Sequence, residues 1–162
     1  MVVCISHLRN VGGRLFVLGM GGSAANASHA VNDFRKLCNI EAYCASDNAA
    51  EMTARINDDG ASEWMAGWLK ASNLAERDAI LVLSVGGGTY HASQCIVEAV
   101  RYAMQCNVLV MGIVGDKDGY TARYGHSVLV LPTPDDHWRT PLAETFQAVI
   151  WHLIVNHPAL KS

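Results

Sequence analysis

The chain has 162 residues, 51% of them hydrophobic, and a formal net charge of −3. That is about one domain's worth of chain, long enough to bury a core and too apolar to stay disordered. Scattered basic residues exclude nucleic acid as the main ligand, and no apolar run nears the roughly 20 residues that a membrane span needs.

In chain order, residues 15–18 are the first apolar run of strand length. The glycine loop Gly19-Met20-Gly21-Gly22-Ser23-Ala24 follows, and a helical period covers 24–37. Residues 42–45 are a weaker strand, followed by helical segments at 49–56 and 62–72. In the second of these, Trp64, Met65, Trp68 and Leu69 share one apolar face, as core or subunit contact requires. A strong strand at 79–83 leads to a second glycine loop and a helix at 91–105. Strands at 108–114 and 127–131 come next. A last helix is expected at 141–155, with Thr140 as its N-cap and Pro141 in its first turn.

The strands are nearly continuous hydrophobics, the pattern of strands covered on both faces. Alternation with helices predicts an α/β fold with a doubly wound parallel sheet of five strands in a single domain, 1–162. Ligands in such sheets sit beyond the carboxyl ends of the strands. The loops Gly19–Ser23, Ser84–Thr89 and Gly115–Tyr120 are expected there.

The chain start, Met1-Val2-Val3-Cys4, lacks a basic stretch before an apolar core, so no signal peptide is expected. Cys4, Cys38, Cys44, Cys95 and Cys106 are odd in number and include no C-x-x-C pair. Reduced thiols in a cytoplasmic protein account for them better than a zinc ribbon or a disulfide framework.

The first loop fits the dinucleotide pattern G-x-G-x-x-A, but also a loop that grips a sugar phosphate. A dinucleotide wants an acid about 20 residues on, and Asp47 comes somewhat late. The second loop, Ser84-Val85-Gly86-Gly87-Gly88-Thr89, favours a compact phosphorylated ligand. Its glycines free backbone N–H groups toward an anion, and the hydroxyls of Ser84 and Thr89 add donors. His29 and Asp33, four apart, project from one helix face and suit a metal or an acid–base pair. Glu144 and His152 are eight apart on the last helix, with about 12 Å of rise between them, so one straight helix does not easily bring both to one ion.

These motifs, in this order, resemble the sugar isomerase (SIS) fold, and specifically the bacterial phosphoheptose isomerases. The likeness runs through GMGGSAANASHAVND, the Asn57-Asp58-x-Gly60 segment, the Ser84–Thr89 loop, Gly112-Ile113-Val114-Gly115 with Lys117-Asp118-Gly119, and the closing helix with His152. It implies a homo-oligomer, tetramer or dimer, with active sites between subunits. It implies aldose–ketose isomerisation of sedoheptulose 7-phosphate to D-glycero-D-manno-heptose 7-phosphate through an enediol. It implies zinc held by His29, Asp33, Glu144 and His152, with Asp33, Glu144 and His152 sharing the proton transfers. Met20, Gly21, Gly22, Ser23, Asn57, Asp58 and Glu144 would line the sugar, and Ser84, Val85, Gly86 and Thr89 the phosphate.

The chain departs from the family at five points. Met20 stands for Asn, Asp33 for Glu and Glu144 for Gln, the phosphate loop is poorer in hydroxyls, and the N-terminal helix is shortened. A non-catalytic SIS module that senses a sugar phosphate or binds a protein partner would keep the loops without the acid–base residues. A nicotinamide-dependent oxidoreductase leaves the second loop and His152 unexplained.

Overall fold

The computed structural model describes residues 1–161. A short helix, α1 (Val2–Asn10), precedes β1 (Leu15–Gly19), α2 (Gly22–Cys38) and β2 (Ala42–Cys44). Helices α3 (Ala49–Asp58) and α4 (Trp64–Ala71) lead to β3 (Ala79–Ser84) and α5 (Gln94–Gln105). The chain closes with β4 (Leu109–Val114), α6 (Tyr120–Tyr124), β5 (Ser127–Val130) and α7 (Asp136–Val155).

All five strands pair in parallel in the order β2-β1-β3-β4-β5. Alternation along each central strand divides the core. Leu15, Val17, Leu81 and Leu83 face one side, packed under α1, α2 and α7 through Ile5, Phe34 and Trp151. Phe16, Leu18, Ile80 and Val82 face the other, against α4 and α5 through Trp64, Trp68 and Ile96. The apolar face of 64, 65, 68 and 69 is therefore core. This is the expected doubly wound α/β fold, built in three layers, with the nine-residue α1 before its first strand.

In this order the connection reverses direction between β1 and β3, which opens a crevice at their carboxyl ends. The loops after β1 and β3 flank it. The sheet edges differ from expectation. On β5, Leu129 and Val130 are exposed, so this strand is covered less fully than its apolar sequence suggested.

Two helix starts move. The last helix begins at Asp136 rather than at Pro141. Asp135 caps it, its Oδ1 accepting from the amides of His137 at 2.9 Å and Trp138 at 3.3 Å, and Pro141 lies inside the helix. A carboxylate that satisfies two free N–H groups outweighs the single backbone bond that an early proline removes. The helix expected at 91 begins instead at Gln94. Thr89 Oγ1 takes the amides of His91 and Ala92, and Thr89 N donates to Ala92 O, so residues 89–92 close a turn of their own. Helix α6 was not expected. Its first amides, those of Tyr120 and Thr121, donate to the carbonyls of Gly88 and Gly87.

Candidate functional site

Helices α2 and α7 lie side by side and run in the same direction. Gly22 meets Glu144, Asn26 meets Glu144 and Gln147, His29 meets Trp151, and the Cys38 thiol reaches Val155 O. Residues 22, 26, 29 and 33 fall on one stripe of α2, and 144, 147 and 151 on one stripe of α7 with His152 on its flank, as a period of 3.6 requires.

Three expected ligands converge midway along this seam. Asp33 Oδ2 lies 3.9 Å from His29 Nε2 and 3.8 Å from His152 Nε2. The ligand atoms of the three residues all lie within 4.8 Å of one another. The Asp33 side chain is 14% exposed and both imidazoles open to solvent. Asn32 Nδ2 donates to Asp33 Oδ1 at 2.9 Å, which leaves Oδ2 facing the histidines.

The His152 ring is oriented from behind. Its Nδ1 lies 2.7 Å from Ala148 O, and a carbonyl only accepts, so Nδ1 carries the proton. In the neutral ring Nε2 then presents a lone pair toward the Asp33 carboxylate. Acceptors that face one another in this way suit a proton or a cation between them. Two atoms each about 2.1 Å from one ion stand at most about 4.2 Å apart, so the Asp33 distances already match. Two imidazoles and one carboxylate with an open side form a donor set suited to a catalytic divalent ion, and a backbone bond to the remote ring nitrogen is the usual support.

Glu144, the fourth expected ligand, is not in this cluster. It stands two turns up α7, and its carboxylate lies against Gly22, the first residue of α2. A Cβ built on Gly22 would overlap both carboxylate oxygens, so any larger residue there requires Glu144 to move aside. The position is a helix N-terminus, which favours an anion. A protein carboxylate already at the place where a dinucleotide would lay its pyrophosphate argues against the nicotinamide reading.

The other expected contacts divide. Met20 and Gly21 are exposed at the rim of the crevice, and Ser23 is buried beneath it. Asn57 and Asp58, expected to line the sugar, lie on α3. They form the last turn of α3 and are exposed, and their one side-chain hydrogen bond is Asn57 Nδ2 to Asp58 Oδ1 at 2.8 Å. The helix runs two residues past its expected end, so both side chains stand on a helix instead of in a loop. The phosphate loop also differs. Ser84 Oγ accepts from Gly87 N at 3.0 Å, and Thr89 Oγ1 serves the turn that follows. Both hydroxyls fold the loop. Val85 and Gly86 remain as its outward backbone.

Sequence reasoning gave no role to Asn26 and Gln147. Asn26 Nδ2 donates to Glu144 O at 2.8 Å and to Gln147 Oε1 at 3.1 Å, tying the helices together one turn above the cluster. Gln147 is fully buried. The available signal was position, because Asn26 precedes His29 by three and Asp33 by seven.

No protein-family model matches the chain. The lincomycin biosynthesis protein LmbN of Streptomyces lincolnensis is 27% identical over 161 residues, covering 91% of this chain and 57% of that protein. A phosphoheptose isomerase of Desulfovibrio desulfuricans is 28% identical over 148 residues, covering 88% of this chain and 66% of the relative. The chain thus spans less than two thirds of the length of both relatives. The structure of a phosphoheptose isomerase from Francisella tularensis superposes with a TM-score of 0.81 at 21% identity, over 96% of this chain and 81% of the other. The chain thus shares the parallel five-stranded fold of that structure, and in sequence it is similar to bacterial phosphoheptose isomerases.

Proposed function

We propose that this protein is a phosphoheptose isomerase, interconverting sedoheptulose 7-phosphate and D-glycero-D-manno-heptose 7-phosphate through an enediol. The observation that carries this reading is the convergence of His29, Asp33 and His152 on the α2–α7 seam. The relatives that bear the isomerase name supply the reaction. In this reading residues 1–162 are one SIS domain, the chain is a homo-oligomer with sites between subunits, and its free thiols suit the cytoplasm.

One group removes a proton from the carbon beside the carbonyl, and a second returns it to the neighbouring carbon. Asp33, Glu144 and His152 share these roles. With no ion bound, His152 suits the task because its Nδ1–H is held by Ala148 O, leaving Nε2 free to take a proton. The backbone of Val85 and Gly86 is assigned to the phosphate, and Gly21, Gly22 and Ser23 to the sugar. Met20 offers that sugar an apolar contact in place of a polar one. His29, Asp33 and His152 would hold a divalent ion, zinc in this reading; with it bound, His152 Nε2 would be a ligand and the proton transfers would fall to Asp33 and Glu144. Glu144 joins the three ligands only if it leaves Gly22 or serves a neighbouring subunit. Such an ion supplies electrostatic stabilisation of the oxygen that gains charge in the enediolate.

The test is incubation with sedoheptulose 7-phosphate, with and without a chelator, followed by NMR, for the wild type and for His152→Ala. The reading expects turnover by the wild type and none by the variant, with both folded. Binding without turnover by the wild type would instead support the non-catalytic sugar-phosphate sensor.

A further inference from the structure

We propose that Arg139 supplies the positive charge for a phosphate at the Ser84–Thr89 loop, and that Asp136 occupies its bidentate edge until the anion replaces it. The inference rests on the sugar-phosphate reading above and names the cation through which that ligand is held.

The loop itself carries no Lys or Arg. Its two hydroxyls are committed to folding it, and one loop amide, that of Gly87, is spent on Ser84 Oγ. A phosphate dianion in such a loop lacks a charged partner from the loop's own residues.

Arg139 stands beside the start of that loop. Gly115 N donates to Val85 O at 2.9 Å and to Ser84 O at 3.3 Å. A Cβ on Gly115 would come within 2.9 Å of Val85 O and 3.4 Å of Arg139 Cγ. The arginine stem therefore leaves the first turns of α7 against the backbone that fixes Ser84 and Val85. The early start of α7 at Asp136 is what brings it there.

The guanidinium is divided between two carboxylates of different character. Nη1 donates to Asp116 Oδ2 at 2.9 Å, and the Asp116 side chain is only 22% exposed. Nη2 pairs with Asp136 Oδ1, whose side chain is 88% exposed. Nε is buried and has no hydrogen-bond partner among the described residues. Nε and Nη2 together form the edge with which arginine grips an oxyanion through two parallel bonds. Asp136 uses that edge through one atom, and an ion pair to so exposed a carboxylate is weak. A phosphate brings more charge and an oxygen for each of the two N–H groups. Asp116 keeps hold of Nη1 throughout the exchange.

The experiment titrates inorganic phosphate and, separately, sedoheptulose 7-phosphate into the full chain by calorimetry, with thermal melts of every variant. Arg139→Gln should weaken both ligands by about 10- to 100-fold, the loss of a charged bidentate contact. Arg139→Lys should fall between, and Asp136→Asn should tighten binding by removing the competitor. Asp116→Asn cuts the structural bridge but keeps the cation, so its affinity should hold. Unchanged affinity in Arg139→Gln overturns the proposal, as does an equal loss in Asp116→Asn. If Arg139→Gln fails to fold, unchanged affinity in Arg139→Lys overturns it instead. A wild type that binds neither ligand overturns it too. Turnover is scored separately: a wild type that binds phosphate through Arg139 without isomerising the sugar overturns the isomerase reading alone.

Discussion

Glu144 and Gly22 form a matched pair in which the acid occupies the space that a side chain at position 22 would take. The contact sets the mouth of the crevice, because the carboxylate is held at the N-terminus of α2 between the glycine loop and α7. Gly22→Ala is expected to push Glu144 aside, since a methyl group meets both carboxylate oxygens. Overpacking of this kind costs about 1–3 kcal/mol, and here the far end of a side chain can move, so the low end applies. The variant should melt within a few degrees of the wild type yet lose most of its turnover, measured by the same NMR assay. Full activity would remove Glu144 from the site. The two residues are 122 positions apart, and their meeting depends on the register of two helices that no local pattern encodes. His29 and Asp33 were legible because one helix carries both. Asn57 and Asp58 stand on a helix that runs two residues beyond its expected end, a boundary that no local cap in the sequence marks.

Between elements, the α2–α7 seam decides whether the catalytic candidates face one another. Asn26 spans it with two bonds, to Glu144 O and Gln147 Oε1. Asn26→Leu leaves the buried Gln147 carbonyl without this donor, which costs about 1–3 kcal/mol. Urea unfolding measures that loss. A cobalt-loaded sample measures the other expected effect, a change in visible absorption as His152 shifts against Asp33. A loss of stability with an unchanged spectrum would make Asn26 merely structural.

A second tie works at the opposite end of the sheet. Arg14 Nη2 lies 2.7 Å from the fully buried Asp78 Oδ2, and Asp78 also accepts from the amides of Arg14 and Ala75. Burial pushes the Asp78 carboxyl up, but the Arg14 guanidinium and these two amides outweigh it and hold the carboxyl below its ordinary value. Such a group stays ionised to lower pH in the folded protein than in the unfolded chain. Its contribution is therefore complete above about pH 4, the ordinary aspartate value, and is lost as pH falls through the folded-state value. Asp78→Asn should cost about 3 kcal/mol at pH 7 and flatten the acid limb of stability in thermal melts between about pH 5 and 3. A variant as acid-sensitive as the wild type would show that other carboxylates govern that limb.

The strands and their parallel, helix-covered arrangement were within reach of the sequence because continuous apolar runs survive any change of neighbour. Helix starts were not, because caps compete. Thr140-Pro141 is a good signal on its own, and it lost to Asp135, which satisfies two amides at once.

At the scale of the molecule, the outer side of α7 exposes an apolar row. Phe146, Val149 and Leu153 repeat at three and four residues, and all three are exposed, Leu153 to 67%. Beside them a groove of about 500 Å³ is lined by Val2, Val3, Val128, Leu129, Ile150 and Ile154. A helix buries an apolar stripe of this kind when it can, and a stripe left open on a folded chain marks a place for a partner. His152 lies on the flank of the same helix, three residues from Val149, so self-association here would connect assembly to the α2–α7 seam. Sedimentation velocity should find the wild type well above the 17.5 kDa of one chain. Phe146→Glu combined with Leu153→Glu should bring it down to a single chain. Both residues point away from the core, so the circular dichroism spectrum should be unchanged. If the single chains lose turnover while His29, Asp33 and His152 are intact, the site needs a neighbouring subunit. If they keep it, the three residues and the two glycine loops of one chain are sufficient. A wild type that sediments as one chain would remove the stripe from assembly altogether.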